Sequence, residues 1–289
     1  MKPAPFRYHR PRTLAQAVEM IATLANAKLL AGGQSLMPMM NMRFVMPENV
    51  IDLNSVDELS FIREEGDTVC IGAMVRQRDL ERSPIVRGRL PLLAEALRFT
   101  GHTQTRNRGT FAGSLCHQDP AAEQPSVALT YDAEIVATSA RGKRVIAMSQ
   151  FPVAYMTTCL EPDEIVTEIR ISPPPPRHGY AFVEFARRHG DFALASAAVL
   201  LLPGKDGAIE RAAITVGGVG SVPFRFAAAE RTLTGKKAEE AHFLAAVEPC
   251  SELEVIEDVH APAAYRRQLT RVLMMRALRT AADRLNSAH

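Results

Sequence analysis

Four consecutive prolines, Pro173–Pro176, interrupt this chain of 289 residues. Proline lacks a backbone N–H and fixes its φ angle near about −65°, so four in a row continue neither a helix nor a strand ladder. Such a run forms a stiff, extended connector. We therefore place the main domain boundary at residues 173–178 and expect a folded unit on either side of it.

Composition and charge narrow the classes of function. Apolar residues make up 47% of the chain, which is enough to build the cores of two or three domains. The 34 basic and 32 acidic residues leave a net charge of +2, so the charge does not indicate nucleic-acid binding. The longest nearly apolar run, 192–202, is too short to span a bilayer, and the first residues lack a signal-peptide core. These features favour a cytoplasmic protein that binds neither nucleic acid nor membrane.

The cysteines and histidines form no metal-binding pattern in the sequence. No Cys-x-x-Cys pair and no His-Glu-x-x-His pattern occurs. Metal ions and iron–sulfur clusters need several ligands brought together, usually at short spacings. The sequence therefore predicts neither a metal site nor a cluster on this chain. The scattered cysteines are Cys70, Cys116, Cys159 and Cys250.

The hydropathy pattern divides the chain further. Residues 1–55 alternate short strands and helices, with Thr13 as a helix cap, which is typical of a βαβ-like unit. Residues 56–172 contain short strands joined by polar turns, with helical segments between them. After the connector, residues 179–289 begin with three strands and continue with three helices. The chain is predicted to be an α+β protein.

A paired-glycine segment follows a predicted strand and precedes a predicted helix. Residues 31–36 read Ala-Gly-Gly-Gln-Ser-Leu, with Ser35 in the position of a helix cap. Glycine lets backbone N–H groups approach an anion without a Cβ in the way, and a helix start adds a favourable dipole. The other interpretation is a tight turn between strand and helix. No G-x-G-x-x-G or G-x-x-x-x-G-K-[ST] pattern decides between the two.

A second small-residue segment, Thr110–Ser114, precedes two carboxylates, Asp119 and Glu123. Carboxylates accept hydrogen bonds from ribose hydroxyls and an adenine amino group. Another interpretation is a helix start, with Asp119 as N-cap, Pro120 at the first helical position and Glu123 near the third. Both interpretations are compatible.

These segments together resemble a known family. Leu30–Met40, Arg106–Ser114 and Asp119–Glu123 are similar to the FAD-binding medium subunit of molybdenum hydroxylases, the xanthine dehydrogenase and carbon monoxide dehydrogenase family. Glu184–Ala193 and Ile214–Arg225 resemble the family's C-terminal segments. The resemblance covers almost the whole chain.

The resemblance implies a vanillyl-alcohol-oxidase (PCMH-type) FAD-binding fold in two subdomains, followed by a C-terminal domain of a three-stranded antiparallel sheet and helices. The two small-residue segments would hold the pyrophosphate, Glu123 would lie near ribose or adenine, and Phe192 near the isoalloxazine ring. From the residues alone, Phe192 is equally well a buried residue at a strand end. The residues implied at the FAD site are Ala31, Gly32, Gly33, Gln34, Ser35, Leu36, Thr100, Gly101, Thr110, Phe111, Ala112, Gly113, Ser114, Asp119, Glu123, Val166 and Phe192.

The chain departs from the family pattern at three positions. Ala112 and Ser114 flank Gly113 where relatives usually have two glycines and an asparagine. Alanine fits at position 112 if its φ is negative, and Ser114 keeps a hydroxyl but loses the amide. Glu184 stands where relatives usually have a lysine, which changes the charge near the flavin.

The sequence contains no nucleophile–base pair and no paired carboxylates placed for substrate chemistry, so no catalytic residue is predicted. The resemblance implies an electron-transfer subunit instead. Substrate would react at a molybdopterin cofactor on a large subunit, and electrons would pass through 2Fe-2S clusters of a small subunit to FAD on this chain and then to an external acceptor. Two alternatives are a stand-alone flavin oxidase or reductase and a scaffold subunit that has lost FAD.

Overall fold

The structure, a computed structural model, describes residues 1–204 and 207–287. The strands are β1 (Arg7–His9), β2 (Ala27–Leu30), β3 (Asn49–Asp52), β4 (Ile62–Glu65), β5 (Thr68–Gly72), β6 (Glu134–Ser139), β7 (Gly142–Ala147), β8 (Pro152–Ala154), β9 (Thr157–Thr158), β10 (Ile165–Ile171), β11 (Gly179–Phe185), β12 (Ala195–Pro203), β13 (Ile209–Gly217) and β14 (Phe224–Arg225). The α-helices are α1 (Leu14–Thr23), α2 (Leu36–Asn41), α3 (Gln77–Arg82), α4 (Pro84–Arg89), α5 (Pro91–Ala96), α6 (Thr103–Arg108), α7 (Phe111–His117), α8 (Glu123–Thr130), α9 (Ala227–Leu233), α10 (Glu240–Val247) and α11 (Ala263–Ser287).

The N-terminal unit is a small parallel sheet with one covering helix. Its strands run in the order β1-β3-β2, and both pairings are parallel. Thr13 caps α1, because its Oγ1 accepts a hydrogen bond of 3.2 Å from the Gln16 N–H. Ala17 and Ile21 of this helix pack into a core with Ile51 of β3. The βαβ-like unit and its helix cap are confirmed.

The second unit is a five-stranded sheet in the order β4-β5-β10-β6-β7, and all of its pairings are antiparallel. Helices α3 to α8 lie in the connection between β5 and β6. The side chains of Phe111, Leu115 and Val127 from these helices share one core with Ile169 of β10 and Ile135 of β6. The buried sheet thereby fixes the start of α7 and α8, which carry the predicted site residues Phe111, Ala112, Gly113, Ser114 and Glu123.

The C-terminal unit has one more strand than predicted. Strands β11, β12 and β13 form the expected antiparallel sheet, and the two-residue strand β14 extends it through the pairs Thr215–Arg225 and Val216–Phe224. A pairing of only two residues leaves no periodicity in the sequence to predict it from. The 25-residue helix α11 packs along β11 and β12.

The two halves of the chain share a core despite the proline connector. Phe182, Ala198 and Ala213 of the C-terminal sheet belong to the same buried cluster as the helices of the second unit. Thr130 of α8 also donates a 2.8 Å hydrogen bond to Thr215 of β13. The boundaries at 55, 172 and 178 remain predictions. None of the helices that the structure describes is both long and apolar enough to cross a bilayer.

A close backbone approach joins α11 to the C-terminal sheet. A methyl group at Gly179 would overlap the Ala281 carbonyl oxygen and lie 3.1 Å from Leu285 Cβ. We expect Gly179→Ala to lower the free energy of unfolding by about 1–3 kcal/mol, because the helix must move away from β11. Thermal or urea unfolding measures the change.

Gly88→Ala is the matched control for that variant. Gly88 lies in α4, and a methyl group there meets no atom within 4 Å. Alanine in a helix is about 0.5–1 kcal/mol more favourable than glycine, so this variant should be neutral or stabilised. Equal stability of the two variants would contradict the close packing of α11 on β11.

Candidate functional site

The segment 31–36, which we call the glycine loop, connects β2 to α2. Gly33 has a φ of +74°, a conformation that favours glycine. The Met37 N–H donates a 3.2 Å hydrogen bond to the Gly33 carbonyl and closes the first helical turn. Ser35 is the N-cap residue of α2, but its hydroxyl makes no capping hydrogen bond. Pro38 has no N–H, so the Ser35 hydroxyl and the Leu36 N–H are the groups at this helix start that make no hydrogen bond within the described residues.

The segment 110–114, which we call the threonine loop, forms the start of α7. Thr110 is the N-cap residue, and its Oγ1 accepts a 3.0 Å hydrogen bond from the Gly113 N–H. The Phe111 and Ala112 side chains are buried in the core. Ala112 is helical, so its φ is negative and the methyl group fits without strain. Gly113 and the Ser114 side chain are half-buried and so remain partly accessible to a ligand.

The two loops are in direct contact. A methyl group at Gly32 would overlap the Arg108 carbonyl oxygen and lie 2.7 Å from Gly109 Cα. A Cβ at Gly113 would lie 3.9 Å from Ala31 Cβ. Gly32 is therefore required here by close backbone packing, and the fold places the two small-residue segments side by side.

A polar network that sequence reasoning missed supports this contact. Asn54 Nδ2 donates a 2.9 Å hydrogen bond to the Ala31 carbonyl. Arg76 Nη1 donates a 2.5 Å hydrogen bond to the Arg108 carbonyl, and Arg76 Nη2 donates to Asn54 Oδ1. Burial and the charge of Arg108 lower the pKa of Arg76. One feature of the sequence could have indicated Asn54. It lies two residues after the end of β3, and Ala31 directly follows the neighbouring parallel strand β2, so both lie at the same edge of the sheet.

A second polar cluster joins Thr100 to Glu123. Thr100 Oγ1 donates a 2.9 Å hydrogen bond to Glu123 Oε2, and Glu123 is the first residue of α8. Burial raises the pKa of Glu123 to about 7, although the Thr100 hydrogen bond opposes the shift. Arg106 donates to the Thr100 and Gly101 carbonyls at 3.0 and 3.2 Å and forms an ion pair with Glu81. Gly101 has a φ of +48°.

Asp119 is not the helix cap that one interpretation predicted. Its Oδ1 accepts a 2.9 Å hydrogen bond from the Ala121 N–H, and α8 begins at Glu123 with Ala122 as N-cap. The Pro120 carbonyl accepts a 2.7 Å hydrogen bond from the Gly218 N–H of the C-terminal unit. This tertiary hydrogen bond holds the turn against the C-terminal sheet, and the helix starts later than the local sequence suggests.

Val166 and Phe192 lie in different environments. Val166 is a core residue of β10 with 4% of its surface exposed. Phe192 lies in the connection between β11 and β12 and is 65% exposed, so the interpretation of a buried strand-end residue is wrong. In the same connection, a Cβ at Gly190 would lie 2.7 Å from the His102 ring. The connection therefore packs beside the segment that contains Gly101.

Within residues 1–204 and 207–287, no group of three or more His, Cys, Asp or Glu side chains is arranged to hold a metal ion.

Comparison with known proteins identifies both halves of the chain. Residues 4–175 match the family described as the FAD binding domain in molybdopterin dehydrogenase. Residues 180–281 match the CO dehydrogenase flavoprotein C-terminal domain. The chain is 40% identical to the caffeine dehydrogenase subunit beta of Pseudomonas sp. (strain CBB1) over 99% of this chain and 97% of that protein. It is 37% identical to the carbon monoxide dehydrogenase medium chain of Hydrogenophaga pseudoflava over 97% of this chain and 98% of that protein.

Solved structures agree with these matches. Carbon monoxide dehydrogenase from Hydrogenophaga pseudoflava, in a form that lacks the Mo-pyranopterin moiety of the molybdenum cofactor, contains a chain that superposes with a TM-score of 0.95. The two share 38% sequence identity over 98% of this chain and 99% of that chain. The α+β FAD-binding fold with a C-terminal domain is thereby confirmed. This chain belongs to the family of FAD-binding medium subunits of the molybdenum hydroxylases.

Proposed function

We propose that this protein binds FAD along the glycine and threonine loops and serves as the electron-transfer subunit of a heteromeric molybdenum hydroxylase. The observation that supports the proposal is the direct contact of Gly32 with the Arg108–Gly109 backbone, which immediately precedes the threonine loop. In the proposed complex, 2Fe-2S clusters on a small subunit deliver electrons, and a large subunit holds the molybdopterin cofactor. The relatives named as medium chains or medium subunits support this assembly.

The residues at the two loops suit a pyrophosphate. Its charge needs several converging donors. The Leu36 N–H of α2 and the Phe111 and Ala112 N–H groups of α7 are of that kind. The Ser35 and Ser114 hydroxyls add to them. The Arg76 guanidinium, which donates to the Arg108 carbonyl, adds a positive charge next to the contact between the loops. The Ala112 substitution does not disturb this arrangement, because the methyl group points into the core.

The second polar cluster, formed by Thr100, Arg106 and Glu123, suits the sugar or the base of the same cofactor. Thr100 orients the Glu123 side chain at the start of α8, and Arg106 orients the Gly101 carbonyl. A buried carboxyl accepts hydrogen bonds from ribose hydroxyls or an amino group. Bound FAD would supply the electron-carrying chemistry, and the protein would bind and orient it and tune its electrostatic surroundings.

An exposed apolar patch near the glycine loop supports contact with a partner subunit. Met40 of α2 is buried, but Met42, Phe44 and Met46 just after this helix are 64%, 73% and 57% exposed. Methionine and aromatic residues are enriched in protein interfaces. We propose that this patch is covered in the complex, and that the complex is cytoplasmic.

Isolation of the protein with the products of neighbouring genes tests the proposal. We expect a yellow complex that contains a cysteine-rich small subunit and a large molybdopterin subunit, and that releases FAD in a 1:1 ratio to this chain when denatured. A colourless complex of the same subunits would support the scaffold alternative. A yellow chain that purifies and turns over without partners would support the stand-alone flavoenzyme.

Gly32→Ala tests the placement of FAD at the two loops. The added methyl overlaps the Arg108 carbonyl and must push the loops apart, so we expect FAD affinity to fall by about tenfold or more. Fluorescence titration of the apoprotein with FAD measures the affinity. Gly88→Ala, in α4 away from the loops, should leave it unchanged. Equal affinity of the two variants would exclude the loops as the pyrophosphate site.

A further inference from the structure

Arg266, in the first turn of α11, is a buried arginine outside the candidate site. Only 2% of its surface is exposed. Its Nη1 donates hydrogen bonds of 2.6 Å to the Leu194 carbonyl and 2.9 Å to the Gly218 carbonyl. Its Nη2 donates a 2.6 Å hydrogen bond to Asp258 Oδ2, and the two side chains form an ion pair. The buried charge is thus compensated by one carboxylate and two backbone acceptors.

The two carbonyls belong to different connections of the C-terminal sheet. Leu194 is the last residue of the connection between β11 and β12, and Gly218 is the first residue of the connection between β13 and β14. The two backbones touch, because a Cβ at Gly218 would lie 2.9 Å from the Ala193 carbonyl oxygen. The Arg266 guanidinium therefore holds both connections at the point where they meet.

Gly218 links Arg266 to the turn that precedes α8. The Gly218 carbonyl accepts the hydrogen bond from Arg266, and the Gly218 N–H donates a 2.7 Å hydrogen bond to the Pro120 carbonyl. Pro120 lies between Asp119 and Glu123, two of the residues implied at the FAD site. A displacement of Gly218 would therefore release the turn from the C-terminal sheet.

The connection between β11 and β12 contacts the candidate site at a second point. Gly190 of this connection packs on the His102 ring, and His102 directly follows Gly101 in the chain. At the base of the connection, the Leu194 N–H donates a 2.8 Å hydrogen bond to the Phe185 carbonyl. The connection is thus fixed at its base through both backbone groups of Leu194.

The shape of the guanidinium suits this task. Its planar fork presents several N–H donors in fixed directions, so one arginine can bond a carboxylate and two carbonyls at the same time. A lysine ammonium keeps the charge beside Asp258, but it is a single point on a flexible stem. It cannot reproduce the paired hold on Leu194 and Gly218.

We propose that Arg266 is a positioning residue for FAD binding. Through the Leu194 and Gly218 carbonyls, it keeps the two connections against the turn before α8 and the segment that contains Gly101. Because it takes Gly101 and Glu123 as residues of the FAD site, this role rests on the proposed function. The last helix of the chain thereby contributes to cofactor binding through the backbone of the C-terminal sheet.

Hydrogen exchange of the full apoprotein tests the positioning without a cofactor. In Arg266→Lys, we expect the Gly218 amide to exchange about tenfold faster than in the wild type, because its hydrogen bond to Pro120 opens more often. Mass spectrometry of peptides that cover residues 216–221 measures the rate. Amides in the middle of α11 should exchange as in the wild type, whereas a general loss of stability would speed exchange in both places.

Fluorescence titration of the apoprotein with FAD measures the consequence for the cofactor. We expect the dissociation constant of Arg266→Lys to rise about tenfold, because the turn before α8 is no longer held in place. Arg284→Lys is the matched control. Arg284 also lies on α11, donates a 2.7 Å hydrogen bond to the Tyr180 carbonyl and forms an ion pair of 2.7 Å with Glu95. Because these partners lie on β11 and α5, outside both connections, its affinity for FAD should equal that of the wild type.

Asp258→Asn is a second variant, which applies equally if Arg266→Lys does not fold. It removes the ion pair that orients the guanidinium and leaves Arg266 in place. We expect faster exchange of the Gly218 amide here too, by a smaller factor than in Arg266→Lys. Faster exchange confined to residues 258–261 would exclude the positioning role.

The outcomes separate this role from the proposed function. Unchanged exchange of the Gly218 amide in Arg266→Lys excludes the positioning role, and the FAD site stands. Faster exchange with unchanged FAD affinity excludes its effect on the cofactor. An equal loss of affinity in Arg266→Lys and Arg284→Lys shows a general effect on stability and overturns the proposal. If the wild type does not bind FAD, the proposed function fails and the role of Arg266 fails with it.

Discussion

The contact between Gly32 and the Arg108–Gly109 backbone is the constraint on which the candidate site depends. The two backbones lie so close that no side chain fits between them. Asn54 and Arg76 hold the carbonyls of both segments, which satisfies polar groups that the close approach would otherwise bury without partners. The two helix starts, at α2 and α7, are therefore held at one surface. A single anionic group can meet both of them there.

The seam between α8 and the C-terminal sheet has a comparable role at the other end of the site. Ser126 and Thr130 face Ser196 and Thr215 across it, and the apolar residues around them form one continuous core. This packing holds α8, whose first residue is Glu123, against the C-terminal sheet. Burial at this helix start raises the pKa of Glu123 to about 7 and so favours its protonated form.

The sequence predicted correctly those features that depend on residues close together along the chain. It failed where residues far apart along the chain interact. The Thr13 cap and the Gly33 turn depend on neighbours within a few residues, and the structure places both where the sequence indicates. The Asp119 cap was wrong because a hydrogen bond from Gly218, about a hundred residues away, holds the turn outside the helix. Arg76 was missed for the same reason, since its partners are brought to it by the fold. The individual roles of the implied site residues remain predictions.

The hydropathy pattern of the sequence determined the α+β class, because the order of strands and helices is a local feature. The resemblance of several of its segments to known medium subunits determined the family and FAD as the cofactor. That the two loops bind FAD remains a prediction. Only the tertiary structure decided that the loops touch, that Phe192 is exposed, and that the Glu184 side chain is half-buried. Those properties depend on which surfaces the chain packs together. Burial and the electrostatic interaction of distant carboxyls cannot be read from the spacing of residues along the chain.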